Sequence, residues 1–175
     1  MHQEKEVKIE IVFPSYLQHK LIVAMKAAHP YEEVAYDIFQ LDNFLPDVGS
    51  GLVGDLEGEM DETEFLSSLK NTIGLQIIRH TALTNRKIKQ VAVCGGAGSF
   101  LIPFALSAKA DVYVTSDLKY HEFFDAEGKI LLADIGNYES EQFTIDLLHS
   151  ILKEKLTNFA VLKTEVRTNP VHYFR

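Results

Sequence analysis

Residues 89–135 read KQVAVCGGAGSFLIPFALSAKADVYVTSDLKYHEFFDAEGKILLADI, and the rhythm of that stretch decides the fold class. Lys89 to Cys94 is a β-rich run that ends on Gly95-Gly96-Ala97-Gly98, and Ser99 to Ala108 has helical composition with Pro103 within about a turn of its start. Asp111 to Thr115 then predicts a strand and Leu118 to Asp125 a helix. Ile130 to Ile135 is a near-continuous apolar run of the kind buried in parallel sheets. Strands alternating with helices predict an α/β protein built on a mixed sheet.

Downstream, Tyr138 to Leu156 predicts the longest helix, with Phe143, Leu147, Leu148, Ile151 and Leu152 as its apolar stripe, and Phe159 to Val166 a last strand. Upstream, Leu52 to Leu56 predicts a short strand. Asp61-Glu62-Thr63-Glu64 opens a helix, its Asp61/Glu64 spacing like a capping box, that runs to about Ile73 and is capped by Gly74. Leu75 to Arg79 and Lys89 to Cys94 are expected as strands joined by the polar turn at 84–87, with Arg86, Lys87 and Lys89 as its solvated rim. The turn formers of Asp42 to Gly51 mark the boundary between residues 1–42 and 43–175. Before it, Val7 to Phe13 alternates like a half-buried strand ended by Pro14. Ser15 to Ala28 carries helical spacing, and Val34 to Leu41 returns to strand composition.

Composition excludes several classes of function. The 175 residues are 46% apolar and 24% charged, with a formal charge of −8. Each of the segments 1–42, 43–94 and 95–175 is net acidic, the wrong sign for a phosphate backbone, so nucleic acid is not an expected direct partner. No apolar run approaches the roughly 18 residues of a membrane span, and the polar start lacks the apolar stretch of a secretory signal. Cys94, the single cysteine, permits no intramolecular disulfide, so the expected compartment is the cytoplasm.

Four stretches, in this order and spacing, carry a family resemblance: Ala28-His29-Pro30-Tyr31-Glu32-Glu33-Val34-Ala35-Tyr36-Asp37-Ile38, Cys94-Gly95-Gly96-Ala97-Gly98-Ser99, Thr115-Ser116-Asp117-Leu118-Lys119-Tyr120-His121 and Asp134-Ile135-Gly136-Asn137-Tyr138-Glu139-Ser140-Glu141. They resemble the Nif-three-like family of GTP cyclohydrolase I type 2 homologues, from about Val7 to Phe174. The resemblance implies a dinuclear centre of divalent metal (Zn, Fe or Mn) inside a toroidal homohexamer, and a protein about twice this length with two homologous α/β halves. It further implies that residues 1–42 are the βαβ half of an inserted ferredoxin-like domain similar to the CutA and PII proteins. Residues 43–175 would be the C-terminal half of the metal-binding core, with an N-terminal half as the missing partner.

In that family most metal ligands lie in the N-terminal half, and the C-terminal half supplies a His and a Glu from a Gly-His-Tyr-Glu-Ser-Glu motif. The Glu position matches Glu141; the His position holds Asn137. Borderline metals prefer imidazole nitrogen and carboxylate oxygen, so the amide is the poorer ligand, although residues four apart project from one helix face. The implied chemistry is metal-assisted hydrolysis of GTP's imidazole ring, only when an N-terminal half completes the site. The rival reading is a non-enzymatic oligomerising or regulatory module with a degenerate metal site.

Three further residues are candidate catalytic groups. Asp117, Lys119 and His121 follow a buried strand at its carboxyl end, where open α/β sheets place ligands, and an imidazole titrates near neutrality. The structural alternative has Asp117 capping the helix from Leu118, with His121 packed locally. The family motif has Gly where this chain has Ser116. The glycine run 95–98 permits either a tight turn or a lining for the site, and Cys94 is expected as buried filler. His29, Glu32 and Glu33 have the look of a ligand cluster but equally of a turn fixed by Pro30.

Overall fold

The computed structural model describes residues 7–43 and 48–174. The chain divides into two compact units, Met1–Phe44 and Leu45–Arg175. In the first, a 3-10 turn at Ser15–Leu17 leads into helix α1, Gln18–Ala28. Pro30 disfavours helical backbone at the residue before it, and His29 is extended at ψ 139°, its N–H closing on the Met25 carbonyl at 3.0 Å. The strands predicted at Val7 to Phe13 and Val34 to Leu41 do not form; neither stretch carries a strand ladder. Strand composition makes a strand only where a neighbouring strand completes the ladder, and among the described residues neither stretch has one. Most of their apolar side chains stay outside, Val7 at 88% exposure, with Phe13 and Val34 half-buried, and α1 buries none.

The second unit holds a five-stranded mixed sheet of β1 (Leu52–Asp61), β2 (Arg79–His80), β3 (Lys87–Ala97), β4 (Val112–Ser116) and β5 (Leu131–Asp134). The order is β1-β3-β4-β5-β2. The central pairs β3/β4 and β4/β5 are parallel and the edge pairs antiparallel. Every residue of β4 and of β5 is buried, as parallel strands covered on both faces require. One face carries Ala92, Cys94, Tyr113, Ile130 and Leu132 under helix α3 (Ile102–Ser107, entered through a 3-10 turn at Ser99–Leu101). The other carries Ile88, Val112, Val114, Leu131 and Ala133 with Phe65 of helix α2 (Glu62–Ile73). Gly74 ends α2 in the left-handed region at φ +74°, and the Leu75 N–H closes on the Lys70 carbonyl at 2.9 Å. Asp61 makes no side-chain cap there; its carboxylate pairs with Lys87 at 3.0 Å.

Four further expectations are corrected. No hairpin joins 75–79 to 89–94: β2 pairs instead with β5, Arg79 opposite Asp134, while β3 takes β1 and β4. Glu62, buried at the start of α2, explains the departure. Its carboxylate accepts the Thr84 N–H at 2.9 Å, the Thr84 hydroxyl at 2.7 Å and the Asn85 N–H at 2.9 Å, fixing that turn against α2, with Asn85 at φ +57°. The long helix from Tyr138 is two helices, α4 (Asn137–Glu141) and α5 (Thr144–Lys155). Ser140 Oγ donates to the Asn137 carbonyl and Gln142 Nε2 to the Glu139 carbonyl, and such side-chain bonds compete with the helical ladder. The helix expected over Leu118 to Asp125 is a 3-10 helix at Tyr120–Ala126, and Phe159 to Val166 forms no strand.

Two measurements test this packing. Glu62→Gln replaces a carboxylate that accepts three hydrogen bonds by an amide that keeps one accepting oxygen and turns its NH2 toward at least one of those donors, and is expected to lower the free energy of unfolding by about 2 kcal/mol. Urea titration reads this as a lower midpoint at unchanged slope; an unmoved midpoint would contradict the clamp. Tyr113 donates its hydroxyl to the Gly98 carbonyl at 2.8 Å, and burial pushes its phenol up to about 12. A phenol raised in the folded state favours folding below its ordinary pKa of 10.0, and that contribution disappears as pH climbs to about 12. Tyrosinate absorbance should show a late step that Tyr113→Phe removes; a single step near the ordinary value would contradict the burial.

Candidate functional site

At the carboxyl ends of β4 and β5 lies an open cleft of about 680 Å3. Arg79, Asp117, Asp134 and most of α4 line it, together with Asn169 and Tyr173. Asp134, 5% exposed, joins its walls. Oδ2 accepts from the Arg79 guanidinium at 3.1 Å and the Leu118 N–H at 3.0 Å, and Oδ1 accepts the Gly136 N–H at 3.1 Å. A second Arg79 nitrogen donates to the Leu118 carbonyl at 2.8 Å.

Asp117 does not cap the segment that follows it: the 3-10 helix starts only at Tyr120, with Lys119 at its N-cap, and the Lys119 N–H that an Asp117 cap would take is held by Glu122. Asp117 sits in the left-handed region at φ +55°, and its Oδ2 accepts a hydrogen bond from Asn137 Nδ2 at 2.8 Å. Asn137 begins α4 directly after Gly136, whose φ of +91° and missing side chain leave room for Glu139; a Cβ there would fall 2.4 Å from Glu139 Oε2. Glu139 Oε1 accepts from Asn169 Nδ2 at 3.1 Å. Burial first, then the negative charges of Glu139 and Asp134, push the Tyr173 phenol up.

The glycine run meets α4 from β3. The Gly96 N–H donates to Ser140 Oγ at 2.9 Å, and a Cβ on Gly96, at φ +69°, would fall 2.5 Å from Glu141 Oε1. Gly96 thus serves both readings of the run at once: a tight backbone, and close approach to a side chain of the cleft. No protein donor among the described residues bonds the exposed Glu141 carboxylate. Asn137 and Glu141, one helical turn apart, both line the cleft.

Of the other candidate residues, Asp117 lines the cleft, and Lys119 and His121 do not. Lys119 is exposed at the head of the 3-10 helix. Its N–H donates to the Glu122 carboxylate at 2.7 Å and holds that carboxyl below its usual range. His121 is exposed with its ring edge-on to Tyr120, centroids 5.2 Å apart. Cys94 is buried in the core. His29 Nδ1 accepts the Tyr31 N–H at 3.1 Å, a local turn contact, and among the described residues no group of three His, Cys, Asp or Glu is set to hold a metal. Sequence reasoning missed Asp134 and Arg79; the available signal was one acid at the end of the apolar run Ile130 to Asp134.

The family profile Duf34/NIF3 (NGG1p interacting factor 3) matches residues 5–170. The GTP cyclohydrolase 1 type 2 homolog of Bacillus subtilis is 36% identical over 169 residues, which cover 94% of this chain and 45% of that protein. A crystal structure of a Bacillus cereus protein related to NIF3 superposes with a TM-score of 0.69 at 34% identity, over 93% of this chain and 46% of that one. A Staphylococcus aureus protein of known structure gives a TM-score of 0.73 at 26% identity, over 95% and 55%. No described helix is long and apolar enough to cross a membrane. The chain spans about half the length of the curated relatives it matches, and by this match over nearly all of its residues it belongs to the Duf34/NIF3 family.

Proposed function

We propose that this chain is the C-terminal half of a composite metal-centre protein, contributing one wall of a hydrolytic cleft that a complementary N-terminal half completes. The observation that carries the reading is Glu141, an exposed carboxylate set against Gly96 and free of protein donors, facing a cleft open to a partner. The relatives' length supports it, since each carries about as many residues again.

The donor set of this chain does not fit a metal centre by itself. A bound divalent ion would supply an activated water, but holding one takes about four ligands including nitrogen where the metal is borderline. Glu141 offers one carboxylate; Asn137 offers an amide whose nitrogen is already bonded to Asp117. What the chain's own residues do is set the wall. Asp134 fixes Arg79 and the start of α4, Asp117 presents its remaining carboxylate oxygen to the cleft, and Lys119 and His121 would meet a bound molecule only beyond the lining. On this reading, residues 1–42 are the half of a CutA/PII-like insert, and six completed pairs of halves assemble as a hexamer with GTP-cyclohydrolase-type activity.

One observation fits the rival reading of an oligomerising module equally well. Helix α5 buries no residue, and its stripe residues Leu147 and Leu148 are 60% and 53% exposed, an apolar face that a partner of either kind would cover.

Mixing the chain with the N-terminal half of the Bacillus subtilis relative separates the two. A heteromeric complex by light scattering, with divalent metal and hydrolysis absent from either half and lost again in Glu141→Gln, is the expected result. Failure to associate, or association without added metal, would overturn it. A defined dimer or hexamer of this chain alone, metal-free, would favour the oligomerising module.

A further inference from the structure

We infer that Asn137 is a latch, not a metal ligand: its amide hydrogen-bonds Asp117 and fastens the start of α4 to the turn after β4 without an ion. The inference rests on contacts within this chain and stands whether or not the half-site reading does.

The geometry assigns each atom a partner. Asp117 Oδ2 is free to receive Asn137 because the 3-10 helix begins at Tyr120 and the Lys119 N–H, which an Asp117 cap would take, is held by Glu122. At φ +55° Asp117 occupies backbone that Asp and Asn tolerate better than other side chains. A metal-bound histidine gives one ring nitrogen to the metal and donates the other N–H to a carboxylate or carbonyl that orients it. Asn137 Nδ2 makes a bond of that second kind, to a carboxylate, and brings no nitrogen of the first kind. This residue therefore keeps the orienting contact and lacks the coordinating one. Its remaining polar atom, the amide oxygen, joins the Glu141 carboxylate and the second Asp117 oxygen, which together offer about four oxygens, fewer than the roughly six to eight a hard cation gathers.

Nor does α4 need an ion to hold its place. Besides the latch, Ser140 Oγ takes the Gly96 N–H and Glu139 takes Asn169, so three sides of this short helix are tied by protein groups.

Because the latch is a donor and an acceptor facing each other, the two residues should exchange roles. The test uses the full 175-residue chain as wild type, Asn137→Ala, Asn137→Asp and the double variant Asn137→Asp with Asp117→Asn. The readouts are thermal midpoint by circular dichroism and uptake of zinc or manganese by elemental mass spectrometry. Expected is no metal uptake by the wild type and no shift of its midpoint with zinc or chelator. Asn137→Ala should melt about 3 °C lower, the loss of one hydrogen bond in a chain of this size. Asn137→Asp, which sets two carboxylates face to face, should melt at least as low, and the double variant should return most of the loss. Zinc or manganese uptake that Asn137→Ala abolishes would overturn the inference. So would an unchanged midpoint in Asn137→Ala, or a double variant no more stable than Asn137→Asp. If Asn137→Asp does not fold at all, a folded double variant supports the latch and an unfolded one counts against it.

Discussion

A single buried carboxylate, Asp134, holds the cleft together. Removing an ionised carboxyl from water costs several kcal/mol unless donors replace the lost hydration. Here three do: the Arg79 guanidinium from β2, the Leu118 N–H from the segment after β4, and the Gly136 N–H that precedes α4. Each donor belongs to a different wall, so satisfying one charge fixes the mutual positions of all three. Arg79 is itself half-exposed and lies 5.0 Å over the Phe123 ring, which links the same constraint to the 3-10 helix. The consequence reaches the site residues directly. Asp134 holds the N–H of the residue after Asp117 and the N–H of the residue before Asn137, so the two residues that meet in the cleft are both set beside one anchored carboxylate.

What the sequence disclosed follows from how local each interaction is. Val112 to Ser116 and Leu131 to Asp134 were legible because a strand covered on both faces must be apolar at nearly every position. Gly74 was legible because a left-handed helix end selects glycine. The β2 pairing was not, since Arg79 is placed by Asp134 and the turn at Thr84 by Glu62, both partners distant in the chain. The break between α4 and α5 also escaped periodicity. Neither Gly nor Pro marks it, and the apolar spacing runs through; what differs is hydrogen bonding by Ser140 and Gln142 side chains. The unpaired stretches before Asp42 show the reverse case, in which strand composition is present and, among the described residues, a partner strand is not.

The site was half legible for the same reason. Asn137 and Glu141 fall one turn apart in the sequence, and any helix starting near Gly136 sets them on one face. The side-chain partner of Asn137 was invisible, because nothing in the spacing of residues 117 and 137 says that they meet. Glu141 likewise depends on Gly96, 45 positions upstream, being without a side chain. A residue's type can be read locally, whereas its chemical role depends on who occupies its remaining hydrogen-bonding atoms.

The contrast between the sheet's centre and α5 bears on how any assembly of this chain must work. Isolated helices shorter than roughly 12 to 15 residues are marginal in water, and α5 spans 12. Its side-chain ties run to the segment that follows it: Lys163 to Asp146 at 2.5 Å, and His149 to the Val161 carbonyl at 3.2 Å. Packing of its apolar stripe is the term that normally secures such a helix, and within this chain that stripe stays exposed. Whatever covers it therefore stabilises the helix in the same event, so association and the ordering of α5 are thermodynamically linked. That linkage is indifferent to the partner's identity. A second copy and a complementary half would both supply it, and the difference between them lies at Glu141, where only one of the two leaves a carboxylate with something to bind.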